Sequence, residues 1–517
     1  MQILLPIGVV NQNCRNDDDF CPGHFPQRML ASLAIAVMVL MAPRIGHTEP
    51  LFAFTPFPFD LSQEALDKTW EFTEQNGSMF ALHFDQCIPW QQMLDGVDPP
   101  QWMLDSWSTS LTHVKGRPVY VALTPTGTDR HTIIQGCGDT ESNDIAAPAS
   151  LLNLPFDDPR IQAAYLAYAE RLVATFHPRY LDIAIEINQM LLEFPDEWPA
   201  MESLLLATYH ALKVQHPDLI VGIEAELQPL LKAEVATAFQ RIADSMDFLG
   251  ISFYPYGSDA GAAMGAPALE APPQQWQAPL KWLSTYTQTP LAIAETGYST
   301  ASYQLTVNGV TLDFSGTAEL QRQYLHDLLS FAHWDQYLFV IWFVPIDFDR
   351  LTAALGATDN PAFRIFQDTG LLDENLNPRP AFDEWKTRDN FAARPDLSGL
   401  WFNPQQNGHG FELTFIDWNR LVAFWYTYNP DGNPLWLLAD GPVDRDSATL
   451  TAMDARGMVF GVFDPSTVTL STWGEIQIHF LDCNRIEVNW TPVQANFSAG
   501  STTMSRLSAI GGLANCK

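Results

Sequence analysis

"YLDIAIEINQMLLEF" (residues 180–194) is the stretch whose reading decides the fold. It opens as a short apolar run rich in isoleucine and passes, without Gly or Pro, into a stretch with helical spacing. Such a run reads as a buried strand that delivers its last residues to a loop. Working outward, the same unit recurs. Further apolar runs lie at 51–57, 79–85, 118–125, 219–226, 246–255, 290–298 and 337–345. Helical patterns separate them, most clearly at 62–77, 160–176, 200–215 and 318–334. Eight strands alternating with helices predict a (β/α)8 barrel, with its site at the C-terminal strand ends. A doubly wound open sheet is the competing arrangement. No GxGxxG follows the first strand, which weakens a dinucleotide-binding version.

From about residue 395 the pattern changes to short aromatic strands and frequent turns, as in "NPDGNPLWLL" (429–438). The fold class is therefore α/β: a TIM barrel over 49–394 followed by a smaller all-β domain over 395–517. Residues 1–48 read as a leader. Its apolar core, "LASLAIAVMVLMA" (30–42), follows Arg28 and fits a secretory signal, with Met29 as an alternative start. An N-terminal anchor is the other reading, although the run is short for a span.

The chain has 517 residues, a net charge of −33 and 16 Trp. So acidic a surface repels phosphate backbones, which excludes nucleic acid as the natural partner. Neutral sugars stay open, and tryptophan faces suit them, as do aromatic β-domain cores. Beyond the leader four cysteines remain: Cys87 and Cys137, then Cys483 and Cys516. One pair per domain suits an oxidising compartment, hence a secreted or cell-envelope location. No CxxC or HExxH occurs, so neither a metal nor a cofactor is expected. Asp347 and Asp349 alone do not make a calcium site.

Strand parity selects inward side chains. It places Glu186 and Asn188 inward on the fourth strand, with Ile185 and Ile187 outward. It places His83 and Asp85 inward on the second, Gly222 and Glu224 on the fifth, Ser252 and Tyr254 on the sixth, and Ile293 and Glu295 on the seventh. Structural ion pairing inside the barrel is the alternative role for Glu186 and Glu224. A satisfied core histidine is the alternative for His83.

"LGISFYPYG" (249–257), "IAETGYS" (293–299), "VIWFVP" (340–345) and "GLLDENLNPRPAFDEW" (370–385) occur in an order that resembles the clan-A glycoside hydrolases. The chain is most similar there to the arabinogalactan endo-β-1,4-galactanase group. The resemblance implies a retaining β-glycosidase with Glu295 as nucleophile. Trp342 would be a sugar platform, and Tyr254, Tyr256 and Tyr298 aromatic groups of the cleft. It also implies Asn-Glu at the end of strand four, with Asn on the sugar and Glu as acid/base. Asn188 keeps the first role; Gln189 breaks the second, because an amide has no proton to give. Three readings remain open. Another carboxyl supplies the proton, from Glu186, Glu193, Glu197, Glu224 or Glu226. The substrate needs no acid. Or the barrel is a catalytically impaired carbohydrate-binding protein. Trp90 in "HFDQCIPW" is a further platform candidate or a loop-packing residue, and a Cys87–Cys137 bridge would brace that loop. "SGLWFNPQQNGHGFEL" (398–413) resembles a β-rich module of exported gram-negative bacterial proteins. Its tryptophans serve either a core or a binding face.

Overall fold

The computed structural model describes residues 49–510, apart from 115, 142, 308, 358, 359 and 463. The leader expected at 1–48 and Cys516 lie outside the described residues. Eight parallel strands form one sheet: β1 (Leu51–Phe54), β2 (Phe80–Phe84), β3 (Val119–Leu123), β4 (Tyr180–Asp182), β5 (Ile220–Glu226), β6 (Phe248–Phe253), β7 (Leu291–Thr296) and β8 (Phe339–Trp342). Their order is β1, β8, β7, β6, β5, β4, β3, β2. Ser78 and Met79, just before β2, donate their backbone N–H groups to the Phe52 carbonyl of β1, which draws the two edges together. This is the expected TIM barrel.

Helices α1 (Gln63–Asn76), α2 (Gln101–His113), α3 (Pro159–Phe176), α4 (Trp198–Gln215), α5 (Ala233–Ala243), α6 (Gln274–Tyr286), α7 (Ala318–Trp334) and α8 (Pro380–Lys386) follow the strands in turn. Ser62, Asp158 and Thr317 start three of them by accepting from a first-turn N–H. α3 then buries Ile161, Ala164, Tyr165, Tyr168 and Leu172, one face at helical spacing.

Alternation along the strands separates two cores. Val121, Leu123, Val221, Ile223 and Ala225 pack outward against the helices. Tyr120, Ala122, Tyr180, Phe248 and Phe339 pack inside. Phe339 has ring centroids 5.0 Å from Tyr120, 4.9 Å from Tyr180 and 5.6 Å from Phe248. This aromatic plug fills the lower barrel, and Gly222 makes room for it: a Cβ there would lie 2.5 Å from the Phe248 ring. The polar groups are thereby confined to the upper barrel, at the C-terminal strand ends.

The second part is a closed antiparallel barrel of eight strands: β9 (Gly399–Phe402), β10 (Gly410–Asp417), β11 (Arg420–Tyr428), β12 (Pro434–Asp444), β13 (Ser447–Arg456), β14 (Thr469–Asp482), β15 (Arg485–Pro492) and β16 (Gly500–Ala509). Trp401, Trp425 and Trp473 belong to its core, whereas Trp436 is 52% exposed. One end rests on α7, where Trp418 meets Phe331 at 4.6 Å and Phe415 meets Trp334 at 5.9 Å. Cys87 and Cys137 are joined, and Cys483 is also disulfide-bonded. Among the described residues no helix is long and apolar enough to cross a membrane.

Candidate functional site

Glu295 reaches the barrel interior through an irregularity. Ile251 of β6 pairs with Ile293 of β7, but Ser252 pairs with Glu295, so β7 carries one extra residue there. Simple alternation therefore fails on β7. Ile293, expected inside, packs in the outer core, while Ala292 and Ala294 pack inside. After the extra residue Glu295 also faces inward, and the Tyr254 hydroxyl donates to its Oε1 at 2.5 Å. His83 Nε2 lies 4.0 Å from its Oε2.

Glu186 arrives by a different device. The strand expected over 180–188 stops at Asp182, and Ile187–Gln189 form a 3-10 turn. Ile185, expected outside, packs with the inner core. Glu186 itself takes φ 48°, ψ 31°, a left-handed conformation. A non-glycine residue held there costs about 1–3 kcal/mol, and such strain collects at functional sites. The turn aims the carboxylate at β6, where it accepts from Ser252 Oγ at 2.7 Å. It also accepts from Arg130 Nη2 at 2.7 Å and Nε at 3.2 Å, and from Gln189 Nε2 at 3.2 Å.

The electrostatics follow from burial and crowding. Burial first, and then the Glu186 charge, push Glu295 up to about 8, against the pull of Tyr254 and Arg130. Burial and Glu186 likewise raise Glu226, at the end of β5, to about 8. Burial lowers His83, leaving it neutral, and neither of its ring nitrogens makes a hydrogen bond. The exposed Asp85 adds negative charge near Glu295. One layer deeper the Tyr120 hydroxyl donates to Asp182 at 3.0 Å. Burial raises Asp182 to about 7 and raises Glu224 as well, which favours a proton shared between the two.

The structure thus gathers Glu186, Gln189, Glu295, His83, Asp85 and Tyr254. It separates other candidates from them. Asn188 is fully buried. Its amide donates to the Glu226 carbonyl at 2.9 Å and accepts from the Glu226 N–H at 2.8 Å, so it clamps two loops and has no free edge for a sugar. Glu224 has no exposed surface and sits beneath the site. Trp342 is fully buried, with its indole N–H on the Thr369 carbonyl at 2.9 Å. Trp90 is buried and donates to the Ile134 carbonyl at 2.8 Å. Tyr256 and Tyr298 are buried with hydroxyls on Ile365 O and Gln275 Oε1. None of these four rings offers a face to the cleft, because each is at most 2% exposed. Glu193 and Glu197 are exposed, and Glu197 lies 3.3 Å from His131.

Arg130 was not legible beforehand. It lies in the loop after β3, at no fixed spacing from any carboxylate; its only sequence signal is a lone cation in an acidic chain. Asp347, Asp349 and Asp368 place carboxylate oxygens within 4.8 Å of one another. Each is already engaged, by Arg379, Gln367 and Arg364, so they do not fit a cation as they stand.

No family model matches the chain, and no curated protein does. Among solved structures it is similar to a GH5_18 protein from Streptomyces cattleya in complex with Manb1-4GlcNAc, at 15% identity and a TM-score of 0.46. That match covers 68% of this chain and 84% of that one. It is also similar to the exo-β-1,4-mannosidase of Opitutaceae bacterium strain TAV5, at 13% identity and TM-score 0.45, covering 67% of this chain and 61% of that one. A third is xylanase 10B of Thermotoga maritima, at 11% identity and TM-score 0.41, covering 66% and 94%.

Proposed function

We propose that the protein is an exported glycoside hydrolase acting on β-linked glycans by a retaining mechanism, with Glu295 as nucleophile and Glu186 as proton donor. The observation that carries it is the carboxyl pair held at one strand end: Ser252 binds Glu186 and Tyr254, two residues on, binds Glu295. A retaining glycosidase needs two carboxyls about 5–5.5 Å apart, with one proton between them. In the free protein at neutral pH the raised Glu295 holds that proton.

In the first step that proton passes from Glu295 to Glu186, which leaves Glu295 as the carboxylate. The Glu295 carboxylate attacks the anomeric carbon, the glycosidic C–O bond breaks, and Glu186 protonates the departing oxygen. In the second, Glu186 takes a proton from water as the water oxygen attacks the same carbon and frees Glu295. Gln189 then serves as a donor to Glu186, and the missing Glu at 189 is replaced from three residues upstream. His83, with two unengaged ring nitrogens, is placed to meet a sugar hydroxyl. The disulfides support export to an oxidising compartment.

The Arg130 ion pair favours a second reading, a carbohydrate-binding protein with little turnover, because the guanidinium already engages the carboxylate assigned as donor. Hydrolysis of aryl β-glycosides, β-mannan, β-xylan and β-galactan by the purified chain separates the two. Turnover that Glu295→Gln abolishes supports the enzyme; binding without turnover on every substrate supports the second reading.

A further inference from the structure

The antiparallel barrel holds a cavity of about 360 Å³ at the end away from α7. Trp425, Trp473 and Trp490 wall it, with Tyr428 at its rim and His409 and Asn407 beside them. Trp425 lies 5.3 Å from Trp473 and 5.2 Å from Trp490. Trp425 and Trp473 are 3% and 2% exposed, yet the indole nitrogen of each has no hydrogen-bond partner. The same holds for His409 Nε2. His409 Nδ1 faces Gln406 Oε1 at 2.8 Å, and burial keeps the ring neutral, so Nδ1–H donates and Nε2 remains an acceptor. Buried polar atoms are nearly always paired, and a group of exceptions around one cavity calls for an explanation.

The chemistry of the lining selects the ligand. Among the described residues no Asp, Glu, Lys or Arg lines the cavity, so it is built for a neutral molecule. Ring faces with ring N–H donors and one acceptor suit a pyranose, whose C–H face stacks while its hydroxyl edge hydrogen-bonds. Outside the rim the aromatic surface continues. Tyr426 and Trp436 stand opposite each other in register on β11 and β12, 46% and 52% exposed, and Tyr428 is 47% exposed. We propose that this cavity binds one neutral sugar residue of a glycan, whose chain runs out over Tyr428 to Tyr426 and Trp436. The choice of a glycan rests on the hydrolase reading, but the residues are separate from the cleft.

The test is affinity electrophoresis of the full chain, as Glu295→Gln, through gels containing soluble β-mannan, β-xylan or β-galactan. Tyr428→Ala and Trp436→Ala are each added to that background. At least one glycan should retard the parent, and both added substitutions should weaken retardation about tenfold with unchanged melting temperature. In the otherwise native chain neither should alter aryl-glycoside hydrolysis. Retardation insensitive to both, or none on any of the three glycans, overturns the proposal. So does retention on phosphatidylcholine vesicles in place of glycans, since Phe460, in the turn between β13 and β14 at this end of the barrel, is 98% exposed. Retardation that depends on Trp436 in a chain with no hydrolytic activity would uphold this site and sink the hydrolase. Hydrolysis with insensitive retardation would do the reverse.

Discussion

Ser252 on β6 and Tyr254, just past its end, each hold one carboxyl of the candidate pair, Glu186 at 2.7 Å and Glu295 at 2.5 Å. Two residues apart where the chain leaves the strand, both side chains face the site. The pair is therefore registered by a rigid element, although its members come from a left-handed turn and a β-bulge.

Gln189 should not be improved by its supposed ancestral residue. Its amide donates to Glu186, and Glu226 is close enough to feel it as well. Gln189→Glu would set a third carboxylate against these two and remove a donor to a charged group, a loss of about 1.5–3 kcal/mol. Activity on aryl glycosides is expected to fall roughly ten- to hundredfold, read from kcat/KM. A gain on natural glycans would restore position 189 as the acid.

The rate should depend on pH through Glu295. Its carboxyl is raised to about 8 by burial and by Glu186, so the pair loses its one proton as pH rises through about 8 and can no longer protonate the departing oxygen. The basic limb of kcat/KM should lie near there. Tyr254→Phe, which removes a hydrogen bond that favours the ionised form, should move it upward. A basic limb that does not move with that change would contradict the assigned environment.

Stability should run the other way. Glu295 and Glu226, both raised to about 8 by burial and Glu186, bind a proton more tightly folded than unfolded. Between about 4.5 and 8 the unfolded state therefore holds fewer protons, and stability is lost as pH rises across that window. Melting temperature should drop by roughly a few degrees from pH 5 to pH 8. Glu226→Gln should flatten the drop, which differential scanning fluorimetry would show.

Asn188 and Trp342 should behave as structural residues. Asn188→Ala leaves the Glu226 backbone groups unpaired and should cost about 1–3 kcal/mol of stability. Trp342→Phe loses a buried hydrogen bond and leaves a void, at a similar cost of about 1–3 kcal/mol. KM for a small aryl glycoside should change less than twofold in Trp342→Phe. A KM rise of tenfold or more with stability intact would return Trp342 to the cleft.

The barrel was legible because its signal is repeated: eight buried runs and the helical faces between them each carry a period. The site was legible only in part, because it depends on breaks in period. Parity is a usable guide at His83 and Ser252, which lie on regular strands. It misled at Ile293, where a bulge adds a residue, and at Ile185, where the strand has already ended. Glu186 faces the site through a left-handed turn that no alternation encodes. The aromatic residues misled for another reason: Trp342, Tyr298 and Tyr256 have the composition of a sugar platform, but composition does not say which side of a strand end is packed.

The most direct test of the Glu186–Glu295 pair is azide rescue on an activated aryl β-glycoside. Glu186→Ala should lose about 10²–10⁴-fold on substrates with poor leaving groups, and added azide should restore turnover with a β-glycosyl azide as product. Glu295→Ala should instead yield the α-glycosyl azide, because azide then takes the nucleophile's place. A Glu186→Ala chain as active as the parent, or β-azide from Glu295→Ala, would contradict the account.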